Sequence, residues 1–183
     1  MKLYICGSNR NKNCYKVLND LKLLDNKNDK LITLSRKNIK YCLGCSACIK
    51  NLDKYCVQKD DMQEIYDNMI IADKIIIASP VYMNHITGIL KNMIDRLNPF
   101  SCHGNLKGKK VYLILTGQMS EKDNEEIIED IKKYFNGISE FMEFEFKFIK
   151  YLSSGDVESI DDISKCNKNY EKIVEEMKNI INE

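Results

Sequence analysis

Cys42, Cys45, Cys48 and Cys56 fall within one fifteen-residue run, CLGCSACIKNLDKYC. Three thiols at steps of three residues, with Gly44 allowing close backbone approach and a fourth thiol able to fold back, supply four soft anionic ligands for one compact thiophilic group. Iron–sulfur clusters of the ferredoxin type are held by runs of this kind. Zinc also accepts four thiolates, but its usual pattern is two C-x2-C knuckles separated by a longer spacer, so this spacing favours iron. A cysteine-rich loop that binds no metal is the third reading. The chain has 8 cysteines and no legible secretory leader. That combination implies reduced thiols in a cytoplasm, where clustered cysteines bind metal or do redox work more often than they form disulfides. Cys6 reads as core and Cys166 as surface.

A second group of residues has the chemistry of a phosphate and heterocycle site. In the segment Gly7 to Cys14, Ser8, Asn9, Arg10, Asn13 and Cys14 bring small, amide and cationic side chains to the start of a helix. Exposed N–H groups, the helix N-terminus and one guanidinium suit a phosphate dianion; the bland alternative is a polar turn with an Asn cap. Further along, Ser79 precedes Pro80, Val81, Tyr82, Met83, Asn84 and His85. Pro80 fixes the chain direction, while Tyr82 and Met83 offer flat or polarizable surface to an aromatic ring or to ordinary packing. Thr116, Gly117 and Gln118 add backbone, hydroxyl and amide groups for a heterocycle edge. Taken together the three loops favour a flavin.

Hydrophobic periodicity supplies the elements that must carry these loops. Leu3 to Cys6, Leu31 to Leu34, Lys74 to Ala78 and Val111 to Leu115 read as strands. Phe144, Phe146 and Phe148 alternate with charges, the pattern of an edge strand buried on one face. Helical stripes lie between: Tyr15, Leu18, Leu21 and Leu23 or Leu24; Met62, Ile65, Tyr66, Met69 and Ile70; Leu90, Met93, Ile94 and Leu97; Ile127, Ile128, Ile131, Phe135 and Ile138; Tyr170, Ile173, Val174, Met177, Ile180 and Ile181. Five strands alternating with five helices predict an α/β fold. The expected form is a flavodoxin-like, doubly wound five-stranded parallel sheet of order 2-1-3-4-5 with helices on both faces. Loops at the carboxyl ends of strands one, three and four would then meet where the strand order reverses. At 183 residues, one domain spanning 1–183 is expected, with a cysteine-rich insertion at about 36–58 that opens on the same edge.

With 28 basic and 27 acidic residues the net charge is +1. No global field favours nucleic acid or an anionic membrane, and the apolar runs are too short to cross a bilayer. The expectations are therefore no nucleic acid, no membrane and a cytoplasmic location.

GSNRNKN, ASPVYMNHITGILKNMIDRL and the LTGQ turn resemble the matching segments of the flavodoxin-like NAD(P)H-dependent FMN reductase family. The second segment carries most of the likeness, in the order Ser79-Pro80-Val81-Tyr82, Thr87-Gly88, Leu90-Lys91 and Asp95-Arg96. Within that family the cysteine run followed by Asp60-Asp61-Met62 is similar to the iron-sulfur flavoproteins. The resemblance implies FMN phosphate on the Ser8 to Cys14 loop, the isoalloxazine against Pro80 to His85 and near Thr116 to Gln118, and a [4Fe-4S] cluster on Cys42, Cys45, Cys48 and Cys56. It also implies a homodimer or homotetramer in which cluster and flavin meet across a subunit contact, which Cys102 and His103 could line.

Two departures touch the phosphate loop: Asn9 stands where a proline is common, and Cys14 falls where a threonine or serine usually serves the phosphate. The implied activity is FMN-dependent electron transfer between a reduced donor, NAD(P)H or a ferredoxin-like protein, and an unidentified acceptor. The alternatives are a flavodoxin-like carrier without a small-molecule substrate, a plain NAD(P)H:FMN reductase lacking a cluster, and a zinc-stabilised binding module. No G-x-G-x-x-G is present, so a nicotinamide nucleotide would dock transiently over the flavin. No side chain is required as nucleophile, acid or base; His85 reads as polar lining.

Overall fold

A computed structural model describes residues 1–24, 28–50, 55–155 and 162–183. Residues 51–54, inside the expected cysteine-rich insertion, lie outside this set. Strands β1 (Lys2–Cys6), β2 (Lys30–Thr33), β3 (Lys74–Pro80), β4 (Lys110–Gly117) and β5 (Glu145–Ser153) form one sheet of order β2-β1-β3-β4-β5, with every neighbouring pair parallel. The expected architecture is thus the observed one. Almost every residue of β1, β3 and β4 is buried, because parallel strands linked by helical crossovers are covered on both faces.

One face packs α3 (Met62–Ile71), α4 (Gly88–Asp95) and α6 (Glu125–Met142) over Leu3, Ile5, Ile75, Ile77 and Leu113. The other packs α1 (Asn13–Leu23) and α8 (Tyr170–Asn182) over Tyr4, Cys6, Ile76 and Ile114. The short helices α2 (Ala47–Lys50), α5 (Asn98–His103) and α7 (Ile163–Cys166) were not anticipated. The α5 start has a local cause: Pro99 occupies its first turn, so the stripe expected to run through Leu97 stops at Asp95 and restarts.

Other expectations are corrected. The buried stripe of α1 ends at Leu21; Leu23 is 73% exposed and Leu24 is also exposed, because the helix ends as it passes the sheet. In β5 the register against β4 shifts between Leu113 and Ile114. Phe146 and Phe148 therefore pack on one face, whereas beyond the irregularity both Tyr151 and Leu152 are buried, on opposite faces. The strand is one-sided only in its first half. Cys6 is core as expected, but Cys166 is half-buried, its thiol donating to the Ser154 carbonyl at 3.0 Å. No helix among the described residues is long and apolar enough to cross a membrane.

Candidate functional site

The turns after β1, β3 and β4 are fastened to one another. Gly7 N–H donates to the Ala78 carbonyl at 2.8 Å, and Val81 N–H donates to the Thr116 carbonyl at 2.8 Å. Buried Thr87 ties in the next helix: its hydroxyl donates to the Gly7 carbonyl and accepts from Leu90 N–H at 3.2 Å, capping α4. Cys14 Sγ and Thr116 Oγ1 share a buried hydrogen bond at 3.3 Å. These bonds draw three loops into one cleft of about 160 Å³ at the carboxyl edge of the sheet.

Ten expected residues line that cleft: Ser8, Arg10, Asn13 and Cys14; Pro80, Val81 and Tyr82; Thr116, Gly117 and Gln118. Lys12 and Ser154 join them and were missed. Lys12 looked like one more surface lysine, and Ser154 follows a strand whose length the alternation of phenylalanines understated. Arg10 and Lys12 bring two cations to the rim, and among the described residues no carboxylate lines it. Lys12 is the N-cap of α1 but provides no side-chain cap bond, so the first-turn N–H groups are not consumed by a cap. Ser8 is buried and its hydroxyl accepts from Arg10 N–H at 3.1 Å, curling the loop. Arg36 braces the loop tip: Asn11, with its amide oxygen turned inward, accepts from Nε at 3.2 Å and Nη2 at 2.8 Å.

Two side chains have other duties. The Asn13 side-chain oxygen accepts from Ile163 N–H at 3.1 Å, anchoring α7. Burial and neighbouring Cys6 push the Cys14 thiol up, against the lowering effects of its Thr116 hydrogen bond and Arg10, so it stays protonated at neutral pH. This electrostatic balance fits a phosphate dianion: two cations beside a helix N-terminus, with no carboxylate among the described lining residues.

Asn9, Met83, Asn84 and His85 do not line the enclosed part. Asn9 is exposed at the loop tip. Tyr82 and His85 exchange main-chain bonds at 2.8 and 3.1 Å around Met83 and Asn84, whose φ values of 47° and 62° make a left-handed turn. A methionine in that conformation is strained, as residues beside functional clefts often are. Met83 is 97% exposed, and His85 stands edge-on to Tyr134 at 5.0 Å.

The cysteine run occupies a different place. Its neck is closed by Asp60, whose carboxylate takes a bidentate pair from Arg96 at 2.7 and 3.2 Å and accepts from Lys40 and Met62 N–H groups at 3.0 and 3.1 Å. Arg96 also donates to the Lys40 carbonyl at 2.7 Å, and Asn92 to the Ile39 carbonyl at 2.8 Å. Asn38 and Asp61 exchange two further bonds. The ion pair is fully buried, with side-chain exposures of 1% and 0%. Although burial alone would raise the Asp60 carboxyl, the Arg96 and main-chain bonds hold it below its ordinary value.

These anchors lie at the far end of α4 from Thr87, eight helical residues or about 12 Å along the axis. The loop leaves β2 at the expected edge but is drawn along the helical face and fixed away from the phosphate cleft. All four thiols line one open cleft of about 480 Å³, together with Asp95 and Asn98. Gly44 and Ser46, with φ values of 61° and 56°, turn the backbone between the cysteines, and Asn98 Nδ2 donates to Cys48 Sγ at 3.3 Å. The donor set, four thiols facing one space with an N–H aimed at a sulfur, fits an iron–sulfur group. Among the described residues no three His, Cys, Asp or Glu side chains are already gathered around a common metal position. Cys102 is exposed on α5, whereas the His103 ring packs at 5.2 Å on Tyr55.

A larger open cleft, about 790 Å³, lies between α1 and α8. Its polar groups are spent on one another: Asp20 pairs with Lys16 at 3.2 Å and accepts from Tyr170 at 3.0 Å. Among the described residues none of the loops after β1, β3 and β4 lines it, and the site is assigned to the smaller cleft.

The sequence pattern of the NADPH-dependent FMN reductases matches residues 2–138. The chain belongs to the NADPH-dependent FMN reductase family. An iron-sulfur flavoprotein of Methanocaldococcus jannaschii is 50% identical over 64 residues, covering 35% of this chain and 32% of that protein. One from Archaeoglobus fulgidus is 41% identical over 78 residues, 43% of this chain and 34% of that protein. A second M. jannaschii iron-sulfur flavoprotein is 32% identical over 104 residues, 57% of this chain and 53% of that protein. The chain thus spans between about a third and a half of the length of these curated relatives. Among solved structures, an apo NADH:FMN oxidoreductase superposes with a TM-score of 0.64 at 16% identity, over 99% of this chain and 86% of that one. A Bacillus anthracis FMN-dependent NADH-azoreductase in complex with FMN gives 0.64 at 15%, over 98% and 99%. At such identities the likeness is one of fold.

Proposed function

We propose that this family member is an FMN-dependent oxidoreductase of the iron-sulfur flavoprotein kind, a single domain over 1–183 with a cysteine-rich insertion. It would move electrons between a reduced donor, NAD(P)H or a ferredoxin-like protein, and an acceptor not identified by its residues. The observation that carries the reading is the cleft at the ends of β1, β3 and β4, lined by Ser8, Arg10 and Lys12 at the start of α1, in a chain whose family binds FMN. Ser8, Arg10 and the amides at the start of α1 would hold the phosphate, with Asn9, Asn13 and Cys14 shaping the loop. Pro80, Val81 and Tyr82 would back the ring on the open rim, with Met83, Asn84 and His85 at its outer edge and Thr116, Gly117 and Gln118 on the other side. When bound, FMN supplies hydride and single-electron transfer; the protein supplies orientation and electrostatics.

Cys42, Cys45, Cys48 and Cys56 are the proposed ligands of a [4Fe-4S] cluster. The same reading takes the protein to be cytoplasmic and a homodimer or homotetramer. Exposed Tyr41, Leu43, Ile49 and Val57 around the thiol cleft support a second copy as the covering partner.

Anaerobic purification followed by an absorption spectrum and iron, sulfide and zinc analysis tests the proposal. Flavin bands with a broad visible shoulder and about four iron per chain are expected, with turnover of NADH or NADPH distinguishing an enzyme from a protein-to-protein carrier. Cys45→Ala should abolish the shoulder and leave FMN bound. A colourless preparation containing zinc would overturn the reading.

A further inference from the structure

The turn from α4 into α5 presents a side-chain N–H group to the cysteine cleft. Asn98 Nδ2 donates to Cys48 Sγ at 3.3 Å. The Asn98 main chain is fixed as well: its carbonyl accepts from Ser101 Oγ at 2.8 Å, and Pro99 follows it in the first turn of α5. Two residues earlier, Arg96 is buried, with Nη1 and Nη2 committed to Asp60 and the Lys40 carbonyl. Its Nε is buried and bonds to nothing among the described residues. Burial alone would weaken the charge on Arg96, yet its bonds to Asp60 hold the guanidinium firmly cationic. The charge of Arg96 is thus matched by Asp60, while Cys48 lies within hydrogen-bonding reach of Asn98.

We infer that Asn98 is a positioning residue that sets the electron affinity of the group held by the cysteines, through its N–H···S bond to Cys48. The inference rests on the reading that the four cysteines hold an iron–sulfur cluster. Hydrogen bonds to the sulfurs and net charge are among the terms that fix the reduction potential of such a cluster. On reduction one electron enters the cluster and its net charge becomes more negative by one. A fixed N–H dipole then stabilises the reduced form more than the oxidised form.

The test is a dithionite titration of the anaerobic holoprotein against reference dyes, with iron content measured on the same samples. Asn98→Leu, which removes the donor from a half-exposed position, should move the cluster potential to a more negative value and speed iron loss to a chelator severalfold. Asn98→Asp, nearly the same size but with oxygen facing the thiolate, should move it further in the same direction. Cys102→Ser, on the exposed side of α5, should leave potential and iron content unchanged. Wild-type protein that takes up iron but keeps one potential across both Asn98 variants overturns this inference and leaves the cluster reading standing. Wild-type protein without iron overturns both.

Discussion

The phosphate cleft and the cysteine cleft sit at opposite ends of α4 and are built on opposite principles. The first is made from the ends of buried strands; Ser8 and Thr116 in its lining are buried, Ser8 bonded within its own loop and Thr116 to Cys14 at the start of α1, and buried Thr87 ties α4 to Gly7. The second consists mainly of exposed loop. Cys42 and Cys45 are exposed, and the described cysteine segment is secured by a neck at residues 38–40 and 60–61 and by the Asn98 contact to Cys48. A site cut into the core is preorganised by the same packing that stabilises the fold. A site hung from a clamp depends on the clamp, and on the group it holds, for its geometry.

The strongest test of that contrast is Asp60→Ala. It leaves the Arg96 guanidinium buried and unpaired, and removing one partner of such a pair costs about 3–5 kcal/mol. Urea unfolding should show a loss of that size, while flavin titration of the folded fraction gives an unchanged affinity because no bond of the phosphate cleft is touched. Equal losses in stability and FMN affinity would mean that the two regions are not separable. Acid adds a second reading of the same clamp. The folded-state pKa of Asp60 is held below its ordinary 3.8, so its contribution is fully present above that value and is lost as pH falls through the depressed folded value. The stability gap between wild type and Asp60→Ala should therefore be widest near neutrality and close below about pH 4.

Gly117→Ala probes the other region. A Cβ there would stand 2.1 Å from the Tyr151 hydroxyl and 2.9 Å from its Cζ. That hydroxyl is held by the Met119 carbonyl at 2.9 Å and by Asn124 Nδ2 at 3.0 Å, so it cannot simply swing away. Overpacking of this kind costs about 1–3 kcal/mol, and the displaced Thr116 to Gln118 turn should weaken FMN binding about tenfold, equivalent to ~1.4 kcal/mol. Iron content should not change.

The two regions also differed in how far they could be read from sequence. The phosphate cleft was legible because strand order brings the carboxyl ends of β1, β3 and β4 together, and near-continuous apolar strands announce that order. Lys12 and Ser154 escaped because nothing in their type separates them from other surface polar residues. The cysteine motif was plain as a list of ligands, but its position was not. That position is set by Arg96 bonding to Lys40 and Asp60, 56 and 36 residues away in sequence, and an arginine at the end of an amphipathic helix reads as solvated. The exposure of Met83 was hidden for a similar reason: its left-handed turn follows from the Tyr82–His85 pairing, which no local propensity for methionine predicts.

The smallest expected effect concerns Cys14, one of the two positions at which the loop after β1 departs from the resemblance. Cys14 is buried, protonated and bonded to Thr116, so in place of the usual hydroxyl the phosphate loop has a weak donor whose bond is already in use. Cys14→Ser restores a hydroxyl at the same position. A net hydrogen bond contributes about 1 kcal/mol, which limits the gain in FMN affinity to less than about tenfold. Loss of the larger sulfur from the packing around Val17 and Leu18 should offset part of any gain in stability, leaving the unfolding midpoint nearly where it was. Fluorescence titration of apoprotein with FMN separates the two terms: tighter binding at constant stability assigns Cys14 to the phosphate loop, whereas lower stability at constant affinity makes it a core residue that only borders the cleft.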